Sequence, residues 1–343
     1  MTRFCAVETS CDETSAAVVD LERGRFVVRA NVVYSQVATH AKTGGVVPEV
    51  AAREHAVMIT PVIEKAFAQA KTTRRNIDAF AVTAGPGLVT ALIVGVEAAR
   101  TFAAAWDKPL IPVNHIEAHA ASNWLANRPI RFPALCLVVS GGHTELLLMT
   151  ARDRFRCVGR TLDDAAGESF DKVAKLLDLG YPGGPAISKI AADGDPAQYI
   201  LPRPMLTTKN LDFSFAGIKT AALYLVHGIP GQKNPARISV PDVAASFQQA
   251  VVDVLVAKTV RAAKQHGAKS VLLAGGVAAN TELRRQLTAM VERDLPNATY
   301  HQPALEYCTD NAAMIAVRAA FAFARKKSWP WQAVKADPNW ETW

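Results

Sequence analysis

What the sequence lacks narrows it first. None of its five cysteines (Cys5, Cys11, Cys136, Cys157, Cys308) stands in a CxxC pair, and their number is odd. That speaks against a disulfide framework or a structural zinc motif, and a reducing compartment is the simpler setting. No apolar run approaches the roughly 18 residues of a membrane span. The chain reaches Glu8 after a very short apolar stretch, which predicts no signal peptide. The expected location is the cytoplasm, with no membrane partner. No long stripe of Lys or Arg runs along any predicted helix, so the net charge of +7 permits an anionic partner without dictating one.

What is present is globular chemistry. The 343 residues are half hydrophobic and one fifth charged, enough for two ordinary domains or one large bilobed unit. Two stretches share a pattern. Residues 4–19 (FCAVETSCDETSAAVV) and 135–149 (LCLVVSGGHTELLLM) each read as strand, polar turn and strand. Two such hairpins in one chain suggest duplicated lobes. Between them, residues 46–70 and 88–106 carry helical spacing, with Pro61 expected to kink or divide the first. Both have more apolar positions than one core face needs, which suggests a protein interface. Strands are expected at 78–84, 110–113 and 269–273, and helices at 161–179, 242–266 and 311–326. The tail 327–343, with four tryptophans, has no clear assignment.

Several segments could carry chemistry. His115 and His119 stand four apart on a helix that Asn114 can cap, so both imidazoles project from one face and could share an ion. The same pair also fits two partly buried structural histidines. Glu117 points elsewhere, and Asp310, at a later helix start, is the best-placed third ligand. A zincin protease needs a glutamate directly after its first histidine, where this chain has Ile116. The turn at 140–144 offers backbone amides near Gly141 and Gly142 to an anion. Its counterpart carries Asp12 and Glu13, which would repel a bare phosphate but suit a cation, or could orient an amine or water. Residues 274–280 (AGGVAAN) join a strand to a helix N-terminus without the GxGxxG spacing, and could seat a ring and ribose. Asp171 could reach ribose hydroxyls. Arg203, Lys209 and Lys219 flank Phe213 and Phe215, so the 201–216 loop could either hold an unpaired nucleotide or tuck two phenylalanines inward.

Taken jointly, these residues resemble one family, the tRNA N6-adenosine threonylcarbamoyltransferases, or O-sialoglycoprotein endopeptidase-like proteins. The matching stretches are VETSCDET from Val7, HAKTGGVVPEVAAREH from His40, TAGPGL from Thr83, HIEAH from His115, and VSGGHT from Val139. They continue with DDAAGESFDK from Asp163, YPGGP from Tyr181, DFSFAGIKT from Asp212, AGGVAAN from Ala274 and CTDN from Cys308. The resemblance runs to about residue 325. It implies an α/β, bilobed, actin-like ATPase fold with two facing ribonuclease-H-like lobes. The expected lobes are 1–112 with 312–343, and 113–311, the latter carrying the metal and nucleotide sites.

By position, His115, His119 and Asp310 resemble the metal ligands. Val138, Val139, Ser140, Gly141, Gly142, Asp171, Gly184 and Asn280 resemble the nucleotide contacts. The implied reaction moves a threonylcarbamoyl group from threonylcarbamoyl-AMP to N6 of the adenosine 3′ of the anticodon, in tRNAs reading codons that begin with A. Asp12 and Glu13 are the candidate catalytic residues. One metal ion per subunit is expected, Fe2+ first, with Zn2+ or Mg2+ as alternatives. The implied partners are tRNA, an inactive paralogue and a small ATPase. A kinase or chaperone-like ATPase of the same fold, a metalloprotease and a non-catalytic scaffold are the rival readings. Ser188 stands where some members carry a carboxylate, and Ala118 replaces the usual glycine between the histidines.

Overall fold

Strand β1 (Thr2–Glu8) is apolar on both faces because both are covered. Phe4 and Ala6 join one buried cluster, and Cys5 and Val7 another. In the computed structural model, which describes residues 1–229, 238–325 and 329–341, the chain continues through β2 (Glu13–Glu22), β3 (Arg25–Ser35), α1 (Val37–His40), α2 (Pro48–Gln69), β4 (Ala79–Gly85), α3 (Val89–Ala105), β5 (Leu110–Asn114) and α4 (His115–Ala121). Next come β6 (Ala134–Val139), β7 (Thr144–Ala151), β8 (Arg154–Arg160), α5 (Ala166–Leu176), α6 (Gly183–Ala191), α7 (Ala216–His227) and α8 (Val240–Gln265). The last elements are β9 (Ser270–Ala274), α9 (Thr281–Asp294), β10 (Thr299–His301) and α10 (Ala312–Phe323).

These elements form two compact units, Met1–Ile130 with Ala151–Phe155 and Pro303–Trp343, and Arg131–Thr150 with Arg156–Gln302. The division corrects the expected 1–112 with 312–343 against 113–311. Residues 113–130 and 303–311 fall in the first unit, and the reason is local bonding. Strand β5 runs straight into α4 through Asn114, whose Oδ1 accepts from the amides of Ile116 and Glu117. Likewise, the Ala312 amide at the start of α10 donates to Ser15 Oγ on β2.

The two sheets repeat one topology. In the first unit the order is β3-β2-β1-β4-β5, and in the second β8-β7-β6-β9-β10. Each begins with an antiparallel hairpin and then adds two parallel strands beside the first. The duplication read from the two hairpins is therefore a property of both whole sheets.

In the first unit α10 covers one face of the sheet, with Met314, Ile315, Val317 and Phe321 buried there. Helices α2 and α3 cover the other, through Ile59, Val62, Ile63, Val96, Ala99 and Ala103. Pro61 does not divide α2. It lies on the exposed side, while Ile59, Val62 and Ile63 pin the helix on either side of it. Helix α8 is long and apolar enough to cross a membrane, but 78% of its apolar window is buried inside the protein, so it is a core helix.

Three expected features shift. Helix α5 starts at Ala166, later than expected, because Asp163 and Asp164 are engaged elsewhere. Asp163 Oδ1 accepts from the Phe215 and Ala216 amides and so caps α7. Asp164 lies between Lys172 and Lys219. The 201–216 loop presents no aromatic platform, since Phe213 and Phe215 are fully buried and stacked with centroids 6.1 Å apart. Arg203 pairs with Asp253, while Lys258 and Arg261 of α8 donate to the loop's Leu206, Thr208, Asn210 and Asp212. Finally, the described tail is ordered against the first unit, with Val334 buried and Trp331 under the Arg100 guanidinium.

Candidate functional site

The helical rise brings residues four apart onto one face. On α4 this places the rings of His115 and His119 with centroids 4.6 Å apart. The Asn114 cap fixes where the helix begins, and with it the direction of both rings. Asp310 arrives from the far end of the chain, just before Asn311, which caps α10 by accepting from the Met314 amide. Its Oδ1 lies 3.1 Å from His119 Nε2 and 3.5 Å from His115 Nε2. One ligand atom from each of the three residues falls within 4.8 Å of the others. Glu117 turns away, as expected, and accepts from Arg318.

The donor set fits a cation. Both ring nitrogens of His119 are buried, and neither makes a regular hydrogen bond, although Asp310 Oδ1 approaches Nε2 to 3.1 Å. A buried nitrogen lone pair beside a carboxylate and a second imidazole is what a metal ion would satisfy. The surroundings are also rich in carboxylates. Burial would lower the His115 pKa, yet the Asp310 and Glu8 carboxylates push it up to about 9. Burial and the His115 charge hold His119 down.

Glu8 was not singled out from the sequence. It is fully buried at the end of β1, and its Oε2 sits 3.0 Å from His115 Nδ1 and accepts from Thr83 Oγ1 at 2.6 Å. Ser10 Oγ lies 3.2 Å from the same Nδ1. A carboxylate on the far nitrogen of a ligating histidine orients the ring and fixes its tautomer. The available signal was a lone carboxylate closing an otherwise apolar strand, FCAVE.

Asp12 and Glu13 share this neighbourhood. Asp12 is buried, and Glu13 Oε1 accepts from Ser35 Oγ at 3.2 Å. Burial, then Asp310 and Asp12, raise the Glu13 carboxyl well above its ordinary range. Burial and the same acids also push the Cys11 thiol up, which leaves it a poor nucleophile. His55 braces the turn from behind, with Nε2 2.9 Å from the Cys11 carbonyl and Nδ1 2.7 Å from Thr14 Oγ1.

In the second unit the nucleotide candidates are joined by a ring of contacts. The Ser140 carbonyl accepts from the Gly167 amide of α5, where a Cβ would come within 2.5 Å of that oxygen. Asp171 on α5 accepts from the Gly183 amide at 2.7 Å and so holds the start of α6. From α6, Ser188 Oγ accepts from Asn280 Nδ2 at 2.9 Å, and Gln248 accepts from the same amide. Asn280 in turn caps α9, while Gly275 before it, with φ 92°, leaves no room for a Cβ against the Val139 carbonyl. Val138 and Val139 are fully buried strand residues whose side chains face no solvent. Gly141, Gly142, Gly184 and Gly276 have open space where a Cβ would stand. The result is a rim of accessible backbone, suited to the close approach of an anion or a flat ring.

Comparison with known proteins is consistent with this geometry. Residues 27–317 match a family model described as tRNA N6-adenosine threonylcarbamoyltransferase. Proteins of that name from Thermomicrobium roseum and Anaeromyxobacter dehalogenans (strain 2CP-C) are 49% and 48% identical. The first match covers 93% of this chain and 91% of the relative, the second 99% of each. Among solved structures, HypF from T. kodakarensis aligns with a TM-score of 0.62 at 15% identity, over 94% of this chain and 48% of HypF. At that identity the likeness concerns the fold alone, the actin-like ATPase type that the sequence implied.

Proposed function

The chain belongs to the tRNA N6-adenosine threonylcarbamoyltransferase family, and we propose that it moves the threonylcarbamoyl group of threonylcarbamoyl-AMP to N6 of the adenosine 3′ of the anticodon. The observation that carries this reading is the buried His119, without a regular hydrogen bond, beside His115 and Asp310, within a chain matched to the family over 27–317. In this reading these three residues hold a divalent ion, Fe2+ first, because two imidazoles and one carboxylate leave positions open for substrate. Such an ion would supply a Lewis acid and an anchor for the threonylcarbamoyl oxygens.

The chain's own residues take the remaining tasks. The Gly141 and Gly142 amides offer donors to the phosphate of the AMP half, and Gly184, Asp171, Gly276 and Asn280 seat its nucleoside. The N6 amine attacks the carbamoyl carbonyl, the bond from that carbon to the phosphate oxygen breaks, AMP leaves and N6 loses a proton. In this reading Asp12 and Glu13 orient the amine. Because the donor is already activated, positioning and fixed electrostatics suffice without a strong base.

The partners in this reading are tRNA in the cytoplasm, an inactive paralogue and a small ATPase. Val57 on α2 and Val89 and Ile93 on α3 are exposed apolar residues on helices that pack together, which supports a protein interface there. A charge of +7 without a basic stripe supports only weak tRNA binding by the chain alone, on the order of 10⁻⁴–10⁻⁶ M. The test is reconstitution with synthetic threonylcarbamoyl-AMP, Fe2+ and tRNA, counting modified nucleoside by mass spectrometry. The chain alone should be nearly inactive, and partner-containing extract should restore turnover. Phosphoryl transfer or steady ATP turnover by the isolated chain, without modified nucleoside, would favour the kinase or ATPase reading instead.

A further inference from the structure

The tryptophan-rich tail, which matched nothing in the sequence reading, lies against the residues that aim the metal-binding helix. Its path is held by backbone bonds. Trp329 N donates to the Leu110 carbonyl at the start of β5, Asp337 N donates to the Ala84 carbonyl at 2.7 Å, and Gly87 N donates to the Pro338 carbonyl. Val334 is buried in the core cluster, with Trp331, Ala336 and Trp340 packed against it. The fit at Gly85 is tight, since a Cβ there would stand 1.8 Å from the Asp337 carbonyl oxygen.

Two routes run from this segment to one imidazole. By the first, the Trp340 carbonyl accepts from Asn114 Nδ2 at 3.0 Å. The same side chain accepts, through Oδ1, from the Ile116 and Glu117 amides, at 2.9 and 3.1 Å. The tail therefore fixes the orientation of the amide that starts α4, one residue before His115. By the second route, Pro338 holds Gly87 in the turn after β4. Leu88 N in that turn donates to the Ser10 carbonyl at 2.8 Å, and Ser10 Oγ reaches His115 Nδ1. A Cβ at Gly87 would meet that Ser10 carbonyl oxygen at 2.6 Å, so turn and serine are in direct contact.

We propose that residues 329–341 act as a strap that positions His115 for metal binding, with the Trp340 carbonyl and Asn114 side chain as its working contact. This rests on the reading of His115, His119 and Asp310 as metal ligands. The strap's hydrogen bonds on these two routes run to Asn114 and to Gly87. It acts by restricting the helix start and Ser10, so that the His115 ring needs little reordering when an ion binds.

The experiment uses Co2+ as the probe, read by calorimetry and by its visible absorption bands. The parent chain is compared with a chain ending at Ala336, which keeps Val334 and Trp331, and with full-length Asn114→Ser. Serine retains an acceptor for the helix amides, but it has no Nδ2 and its shorter hydroxyl cannot cap the helix and reach the Trp340 carbonyl together. The truncated chain should bind Co2+ about 10–100-fold more weakly, the range for outer-shell partners of a metal ligand, with altered absorption bands and near-parent circular dichroism. Asn114→Ser should move both readouts in the same direction by less. If truncation unfolds the chain, Asn114→Ser decides alone. Parent affinity and parent bands in Asn114→Ser would overturn the strap. Co2+ uptake that survives His119→Ala would instead overturn the metal reading, and the two failures are thereby told apart.

Discussion

The two units share a strand order and differ in what their first hairpin turn holds. Between β1 and β2 the turn is buried and acidic, with Asp12 inside and Glu8 beneath it, and imidazoles from another helix close by. Between β6 and β7 Ser140 is buried and accepts from the His143 amide, while Gly141 and Gly142 are exposed and present backbone alone. One topology thus carries one turn rich in buried side chains and one with exposed backbone. Buried charge divides the same way. In the first unit Asp20 is paired with Arg3 and Arg29, whereas Lys258 in the second donates to oxygens of Thr208, Asn210 and Asp212 and lies 5.9 Å from the Phe213 ring centroid. The strand order sets where a turn points, and the residues in the turn set what it can bind.

The sharpest way to break this comparison is to remove one of the proposed metal ligands. His119→Ala should lower metal affinity by more than the roughly hundredfold upper range of outer-shell changes and abolish tRNA modification, yet leave AMP binding at the parent value. Metal analysis and AMP calorimetry on one preparation decide it, and a parallel loss of AMP binding would mean that the two turns do not work separately. Glu8→Gln keeps the shape and removes the charge behind His115. Metal affinity should fall about 10–100-fold, again with AMP binding untouched.

The converse change is Gly276→Val in the second unit. Since a Cβ there meets nothing within 4 Å, the melting temperature should hold. AMP binding should weaken about tenfold, or about 1.4 kcal/mol, with metal content unchanged. Normal AMP affinity in this variant would remove Gly276 from the nucleoside seat.

The smallest effect concerns the buried charges. Lys258→Met strips donors from the Asn210 and Asp212 carbonyls and should cost about 1–3 kcal/mol in denaturant unfolding. Burial, with Arg261 beside it, brings the folded amine down to about 8 from its ordinary 10.5. Between those values the unfolded chain binds more protons, so this group makes stability rise with pH there, and Lys258→Met should lose that slope. Asp20 acts with the same sign, but in the acid range. Burial alone would raise it, but hydrogen bonds from Arg3 and Arg29 lower it, so its contribution is present above its ordinary 3.8 and disappears as the pH falls through the lower folded value.

Much of this protein was legible before any fold was known. The imidazole pair on α4, its Asn114 cap, the Asn280 cap, both hairpins and the open turn glycines are local features, set by helical rise, strand alternation and the absence of a Cβ. Other features are not local. Asp310 meets His119 only because α10 packs beside α4 on the same unit, which also drew the boundary elsewhere than at 112 and 311. Glu8 looked like one more strand residue until the sheet buried it against His115 and Thr83. Phe213 and Phe215 could have stacked on a base, but burial turned them inward. The tail had no periodicity to read, because it is held by backbone bonds to strand ends and turns rather than by a stripe of its own side chains. Local geometry follows from the order of residues, whereas contacts between distant segments depend on which faces the sheets leave to be covered.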